Sequence, residues 1–334
     1  MKRMTVMLLA ALAAVYLMPL FTVGVGGGKA QEPAPAAEPV AEEPPDFDRR
    51  TTVTVLLDGA IKSMSLRDYL RGVVAAEMPA SFPEEALKAQ AVAARSYTLY
   101  QLRLYEDGAA LPESHGGAQL CGDPAHCSGY VDVDARKAEL WGADASYYEA
   151  RITAAVDGTA GVTATYDGAP IAAVFHSASG PRTESALAVW GADLPYLVTA
   201  ASPGGDQSPD YLGEVTVAEE AFREKMLAAH PDMDLSAPAD TWFRASVRSE
   251  AGGIIDVEVG GVRVSGLWLR QQLGLNSTNF TYHPADGLLT FRTVGCGHGV
   301  GMSQYGAKAL AEQGRTYDEI LRWYYQGVDL TVRS

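Results

Sequence analysis

The stretch Ser65-Leu-Arg-Asp-Tyr-Leu-Arg-Gly-Val-Val-Ala-Ala-Glu77-Met78-Pro79 decides the reading of the chain, because its periodicity places an acid where a hydrophobe belongs. Leu66, Leu70, Val73, Val74 and Glu77 are spaced three and four apart, the stripe that a helix turns toward a core. A carboxyl group there loses hydration, so its charged form is disfavoured and its pKa rises, which suits a general acid near neutral pH. The competing reading is an acid at a fraying helix end that simply reaches water.

Outward from this helix, Thr51 to Ile61 reads as a strand, a turn at Asp58-Gly59 and a return strand. On the other side, Ser81-Phe-Pro-Glu84 has the form of a capping box with proline in the first turn, opening a helix from Glu85 to about Tyr105. Arg95 lies in line with Leu87, Ala91, Thr98 and Leu102 on its apolar stripe. A guanidinium there needs an acceptor, either a carbonyl or carboxylate of the protein or an anionic sugar substituent.

Residues 106 to 140 read as a loop holding His115, Cys121, His126 and Cys127. A helix follows around Ala143 to Val156, then a hairpin turning at Asp167-Gly168, whose second strand, Ile171 to His176, leads into Ser177-Ala-Ser179-Gly180. Trp190 to Tyr196 and Ser202 to Asp206 supply aromatics and turns suited to a groove rim. Between 215 and 292 the pattern predicts a helix over Ala218 to Ala229, strands near Trp242 to Val247 and Ile254 to Val259, a Gly260-Gly261 turn, a helix over Leu267 to Leu273, and strands at 279 to 283 and 288 to 294. Gly295-Cys-Gly-His298-Gly-Val-Gly-Met-Ser303-Gln304-Tyr-Gly306 is a glycine-rich loop entering a helix of Ala307 to Gln313, and Thr316-Tyr-Asp-Glu319 caps a last helix.

Composition narrows the function. With 47% apolar and 20% charged residues the chain can build a sizeable core. A net charge of -15 without a downstream basic cluster argues against nucleic acid. Lys2 and Arg3 precede Met4 to Val25, an uncharged stretch long enough to span a membrane, with the N-terminus cytoplasmic and the remainder outside. A cleaved signal peptide is the alternative. The expected organisation is an anchor over 1–27, a Pro/Ala/Glu-rich tether over 28–47 and a catalytic domain over 48–334.

Two constellations carry chemistry beside Glu77. The glycine loop lets backbone approach a ligand, and His298, Ser303 and Gln304 offer hydrogen-bonding groups at its mouth. It lacks the Gly-Lys-Ser/Thr of a phosphate loop, and no Gly-x-Ser-x-Gly elbow surrounds Ser303. His115-x5-Cys121-x4-His126-Cys127 can fill a tetrahedral zinc shell, while a Cys121–Cys127 disulfide is the rival in an oxidising compartment. Such a shell is closed, which weakens a zinc peptidase or amidase reading.

The runs Leu70-Arg-Gly-Val-Val-Ala-Ala-Glu-Met-Pro79, Leu87-Lys-Ala-Gln-Ala-Val-Ala-Ala-Arg-Ser-Tyr97, His176-Ser-Ala-Ser-Gly180 and Gly297-His-Gly-Val-Gly-Met-Ser-Gln-Tyr-Gly306 resemble the stage II sporulation protein D family, over about residues 50 to 330. Pro181 departs from the pattern where a second glycine is common, and Cys296 stands inside the glycine loop. The resemblance implies a membrane-anchored lytic transglycosylase that cuts denuded, stem-peptide-free peptidoglycan during sporulation engulfment, with Glu77 as acid and base. It also implies one zinc on His115, Cys121, His126 and Cys127, and work alongside stage II sporulation proteins M and P. The same domain resembles amidase enhancers of the cell wall, which would make it a non-catalytic binder.

The expected fold is α+β, helices and antiparallel strands around a substrate groove. Glu77 is expected to protonate the glycosidic oxygen there, while Arg95, His176, Ser177, Ser179, His298, Ser303 and Gln304 position the glycan. Ordinary glycoside hydrolysis uses two carboxylates, and Asp193 and Glu184 are the acids near the hairpin that would supply a second.

Overall fold

The structure is a computed structural model that describes residues 47–334 apart from Ala125. These residues belong to one compact unit, Glu43–Ser334. The anchor over 1–27 and residues 28–46 of the tether lie outside the described residues, while Phe47, the expected end of the tether, opens a helix. Among the described residues no helix is long and apolar enough to cross a membrane. The fold mixes helices with mainly antiparallel sheets.

A short helix α1 (Phe47–Arg50) precedes β1 (Thr52–Leu57) and β2 (Ala60–Ser65), which pair antiparallel through Asp58-Gly59, both at positive φ as a tight hairpin turn requires. Val53, Val55 and Leu57 alternate into the core. Helix α2 (Leu66–Glu77) starts where the Ser65 hydroxyl accepts the Asp68 N–H at 3.1 Å, and it buries Leu66, Tyr69, Leu70, Val73 and Val74. It stops at Met78, whose extended backbone is what a following proline imposes.

Helix α3 (Glu84–Glu106) is the central pillar, and its alanines at 86, 89, 91, 93 and 94 are buried against α2 and later helices. The capping box expected at its start does not form: the N-cap is Pro83, without a side-chain hydrogen bond. Glu84 is therefore the first helical residue rather than the third, and it pairs with Lys88 at 2.7 Å. After α3, β3 (Leu120–Cys121) adds in parallel to β1. Part of the expected 106–140 loop is helical, as α4 (Val133–Trp141), capped by Asp132 and ended at Gly142; α5 (Ala145–Asp157) follows.

Strands β4 (Val162–Tyr166) and β5 (Ala169–Pro170) form the expected hairpin, but its second strand is cut short. The chain leaves at Ile171, and β6 (Phe175–His176) pairs in parallel with β13 (Met302–Ser303), so His176 sits beside Ser303. After α6 (Ala186–Trp190) comes a segment with its own core: β7 (Leu212–Ala218), α7 (Glu219–Ala229), β8 (Phe243–Arg248), β9 (Ile254–Val259), β10 (Val262–Ser265), α8 (Gly266–Leu273), β11 (Phe280–Ala285) and β12 (Leu288–Val294). Phe222, Trp242, Leu269, Phe280 and Phe291 fill the space between its two three-stranded sheets and helices. The segment departs at Tyr211 and returns at Gly295, whose N–H donates to the Tyr211 carbonyl at 2.7 Å. The chain ends with α9 (Gln304–Glu312), α10 (Tyr317–Tyr324), which carries the expected Thr316/Glu319 capping box, and β14 (Asp329–Val332), which pairs with β4.

Candidate active site and metal cluster

Glu77 is the last residue of α2 and is half-buried at one side of a cleft of about 480 Å³. Trp141, His176, Ser177, Asp210, Gln304 and Tyr305 line the same cleft. Burial pushes the Glu77 carboxyl above its ordinary range, and a hydrogen bond from the Gly129 N–H to Oε1, at 2.5 Å, pulls partly the other way. A Cβ at position 129 would lie 2.9 Å from that oxygen, so the close approach depends on glycine.

His176 is buried and donates Nδ1–H to the Val300 carbonyl at 3.1 Å, which leaves Nε2 as a buried acceptor without a protein partner. Burial drives its pKa down to about 3, so the ring is neutral. Ser177 faces the cleft, and its carbonyl accepts the Tyr305 N–H. Gln304 reaches the cleft while its Nε2 donates to Gln90 Oε1 at 3.3 Å.

Four other residues expected to hold substrate do not line this cleft. Ser303 is fully buried and is the N-cap of α9: its hydroxyl accepts the Gly306 N–H at 3.2 Å. His298 sits behind His176, with ring centroids 5.5 Å apart, and accepts the Val300 N–H on Nδ1; burial lowers it to about 4. Ser179 is buried and lines a small separate cavity with His298 and Glu184. Arg95 is wholly buried and gives Nε and Nη2 to the Asp48 carboxylate, at 3.0 and 2.6 Å, and Nη1 to the Val162 carbonyl. Its acceptor is thus a protein carboxylate, carried by a residue next to the expected end of the tether.

The glycine loop also differs in purpose from the expected ligand cradle. A Cβ on Gly297 would fall 2.7 Å from His176 Cβ, and one on Gly301 would fall 2.2 Å from the Val174 carbonyl oxygen. Both have positive φ. The loop's close approach is to β6 and the residue before it, and it is what seats His176 at the cleft. Of the two acids considered beside Glu77, Asp193 is exposed outside the cleft lining and Glu184 is buried in the small cavity; the acid that lines the cleft with Glu77 is Asp210, which no motif marked. Trp141, the last residue of α4, falls between the segments read as loop (106–140) and as helix (143–156), and no motif marked it. Trp190, expected at the rim, packs on His298 at 5.2 Å between ring centroids, and Tyr196 is buried in the core.

His115, Cys121, His126 and Cys127 converge, their ligand atoms all within 4.8 Å of one another. Cys121 is fixed by the β1–β3 pairing. None of the three cysteines is in a disulfide, so the Cys121–Cys127 alternative is not formed. Tetrahedral coordination with bonds of about 2.0 Å to nitrogen and 2.3 Å to sulfur places donors about 3.3 to 3.8 Å apart. The separations are 2.9 Å for His115–His126, 3.4 Å for Cys127–His115, 3.6 Å for Cys127–His126 and 3.8 Å for Cys121–His126, close to that frame. Without a cation, burial and the neighbouring Cys121 push the Cys127 thiol up to about 12. The set thus fits a soft, tetrahedral cation, and the same loop runs on through Ser128 to Gly129, the partner of Glu77.

Comparison with known proteins shows the family. The family model described as Stage II sporulation protein matches residues 58–166, which span Glu77, Gly129 and the four-residue cluster. Stage II sporulation protein D of Bacillus amyloliquefaciens is 38% identical over 272 residues, 81% of this chain and 76% of that protein. Stage II sporulation protein D of Bacillus subtilis is 36% identical over 277 residues, with the same coverage, and the amidase enhancer of Bacillus subtilis is 27% identical over 78% of this chain and 40% of its own length. With identity above one third across most of both chains, this protein belongs to the stage II sporulation protein D family.

Proposed function

We propose that the protein is a lytic transglycosylase that cleaves denuded peptidoglycan strands during sporulation engulfment. The observation that carries the reading is Glu77: a half-buried carboxyl with a raised pKa, in a cleft whose other lining groups include a neutral histidine, two aromatics and amide and hydroxyl donors. In the first half of the reaction Glu77 gives its proton to the glycosidic oxygen as the bond from the muramic anomeric carbon breaks. The muramic C6 hydroxyl attacks that carbon and passes its proton to Glu77, so no water is consumed and a 1,6-anhydro ring forms. Gly129 N–H stays on Oε1 throughout and stabilises the carboxylate that exists between the two transfers. Trp141 and Tyr305 offer flat apolar faces for sugar rings.

His115, Cys121, His126 and Cys127 would hold one zinc, whose contribution is to cross-link the loop that carries Gly129. A four-ligand shell leaves no open position, so the chemistry stays with Glu77. We place the domain outside the cytoplasm, anchored through Met4 to Val25, acting with stage II sporulation proteins M and P.

The test is product mass: denuded glycan digested by the purified protein should give ends lighter by one water than hydrolysis products. The kinship with an amidase enhancer supports a second reading, a wall-binding activator. It requires that the protein bind glycan, leave it uncut, and speed a partner amidase.

A further inference from the structure

With Arg95 buried, the anionic group of the proposed substrate lacks the partner that the sequence suggested. A muramic residue stripped of its stem peptide carries a free lactyl carboxylate, whereas on an intact strand that carbonyl is part of an amide. Arg270, on α8 of the smaller core, has the chemistry to tell the two apart. Its Nε donates to the carbonyls of Leu275 and Asn276, both at 3.2 Å, which orients the fork. Its two Nη nitrogens have no hydrogen bond or ion pair to any described residue, unusual in a chain with 41 acids against 26 bases.

The hydrogen bonds of Arg270 place it behind the cleft edge formed by Asp210 and the glycine loop. The carbonyl it holds, that of Asn276, also accepts the Gly297 N–H, and the Asn276 side chain donates to the Asp210 carbonyl at the cleft edge. His176 and His298 are neutral, and no Lys or Arg is among the residues that line the cleft, so Arg270 is a positive charge held close behind its edge. Asp210 is the opposing acid nearby; it also acts on the Cys296 thiol and makes no ion pair with Arg270.

We propose that Arg270 binds the lactyl carboxylate of denuded muramic acid through its two free Nη nitrogens, and so makes removal of the stem peptide a requirement for tight binding. This rests on the peptidoglycan reading above. A bidentate, charge-assisted contact of this kind changes affinity by roughly 10- to 100-fold. The decisive comparison uses full-length protein carrying Glu77→Gln, so that the glycan stays whole, and measures calorimetric affinity for denuded oligomers before and after reduction of their lactyl carboxylates to alcohols. The charged glycan should bind about 10- to 100-fold more tightly. Arg270→Gln should erase that preference, and Arg270→Lys should retain part of it. Equal affinity for the two glycans, or an Arg270→Gln variant that weakens both alike, overturns the proposal. Failure of the lytic reading looks different: the charge preference persists in the binding assay while the unmodified enzyme yields no anhydro ends.

Discussion

Gly129 donates its main-chain N–H to Oε1 of Glu77 at 2.5 Å, joining the end of α2 to the loop that begins with the four-residue cluster. The contact fixes one carboxyl oxygen and leaves the other for the proton. It also demands glycine, since the added methyl of alanine would crowd Oε1. Gly129→Ala should therefore lower kcat by roughly 10²-fold through misplacement of the acid. KM and thermal stability should change little, as steady-state kinetics and a melting curve can establish.

Glu77 itself is expected to cost stability. Its folded carboxyl titrates above the ordinary 4.5, so between the unfolded and folded pKa values the native state holds the extra proton, and stability falls as pH rises through that window. Glu77→Gln removes the effect. The variant should melt higher than the parent at pH 7.5, and the gap should close toward pH 4. Activity of the parent should decline on the alkaline side as the acid form is lost.

Arg95 separates a structural role from a binding one. Its ion pair with Asp48 has no access to solvent, so Arg95→Ala strands a buried carboxylate and should destabilise by about 3 to 5 kcal/mol. Denaturant titration measures this. A folded Arg95→Ala protein with parental stability and a raised KM would contradict the placement.

The cluster makes a compositional prediction. Protein purified without added metal should contain about one equivalent of zinc, and Cys121→Ser should lose it together with thermal stability. Metal-free parental protein that melts no lower than a zinc-supplemented sample would refute the assignment.

Local patterns in the chain were legible because short-range physics sets them. The α2 stripe, the Asp58-Gly59 and Asp167-Gly168 turns, the Thr316 capping box and most elements between 219 and 294 follow from periodicity and turn chemistry. Long-range pairing was not. Asp48 meets Arg95, and β6 pairs with β13, across large separations for which no local signal exists. The site divides the same way. Glu77 and the cysteine–histidine spacing could be read directly, whereas Ser303 and Gly297 have the composition of a ligand loop but serve a helix cap and a tight strand contact. Strand β7 escaped notice because its alternation runs between exposed and half-buried positions rather than into a core.

In the proposed mechanism Glu77 works without a second carboxylate, although Asp210 lines the same cleft. Digestion of denuded glycan in heavy-oxygen water, followed by mass spectrometry of the ends, tests it directly. Unlabelled 1,6-anhydromuramic ends are expected, abolished in Glu77→Gln and still formed by Asp210→Asn. Heavy oxygen on reducing-end muramic acid, lost in Asp210→Asn, would contradict it and make the protein a two-carboxylate hydrolase.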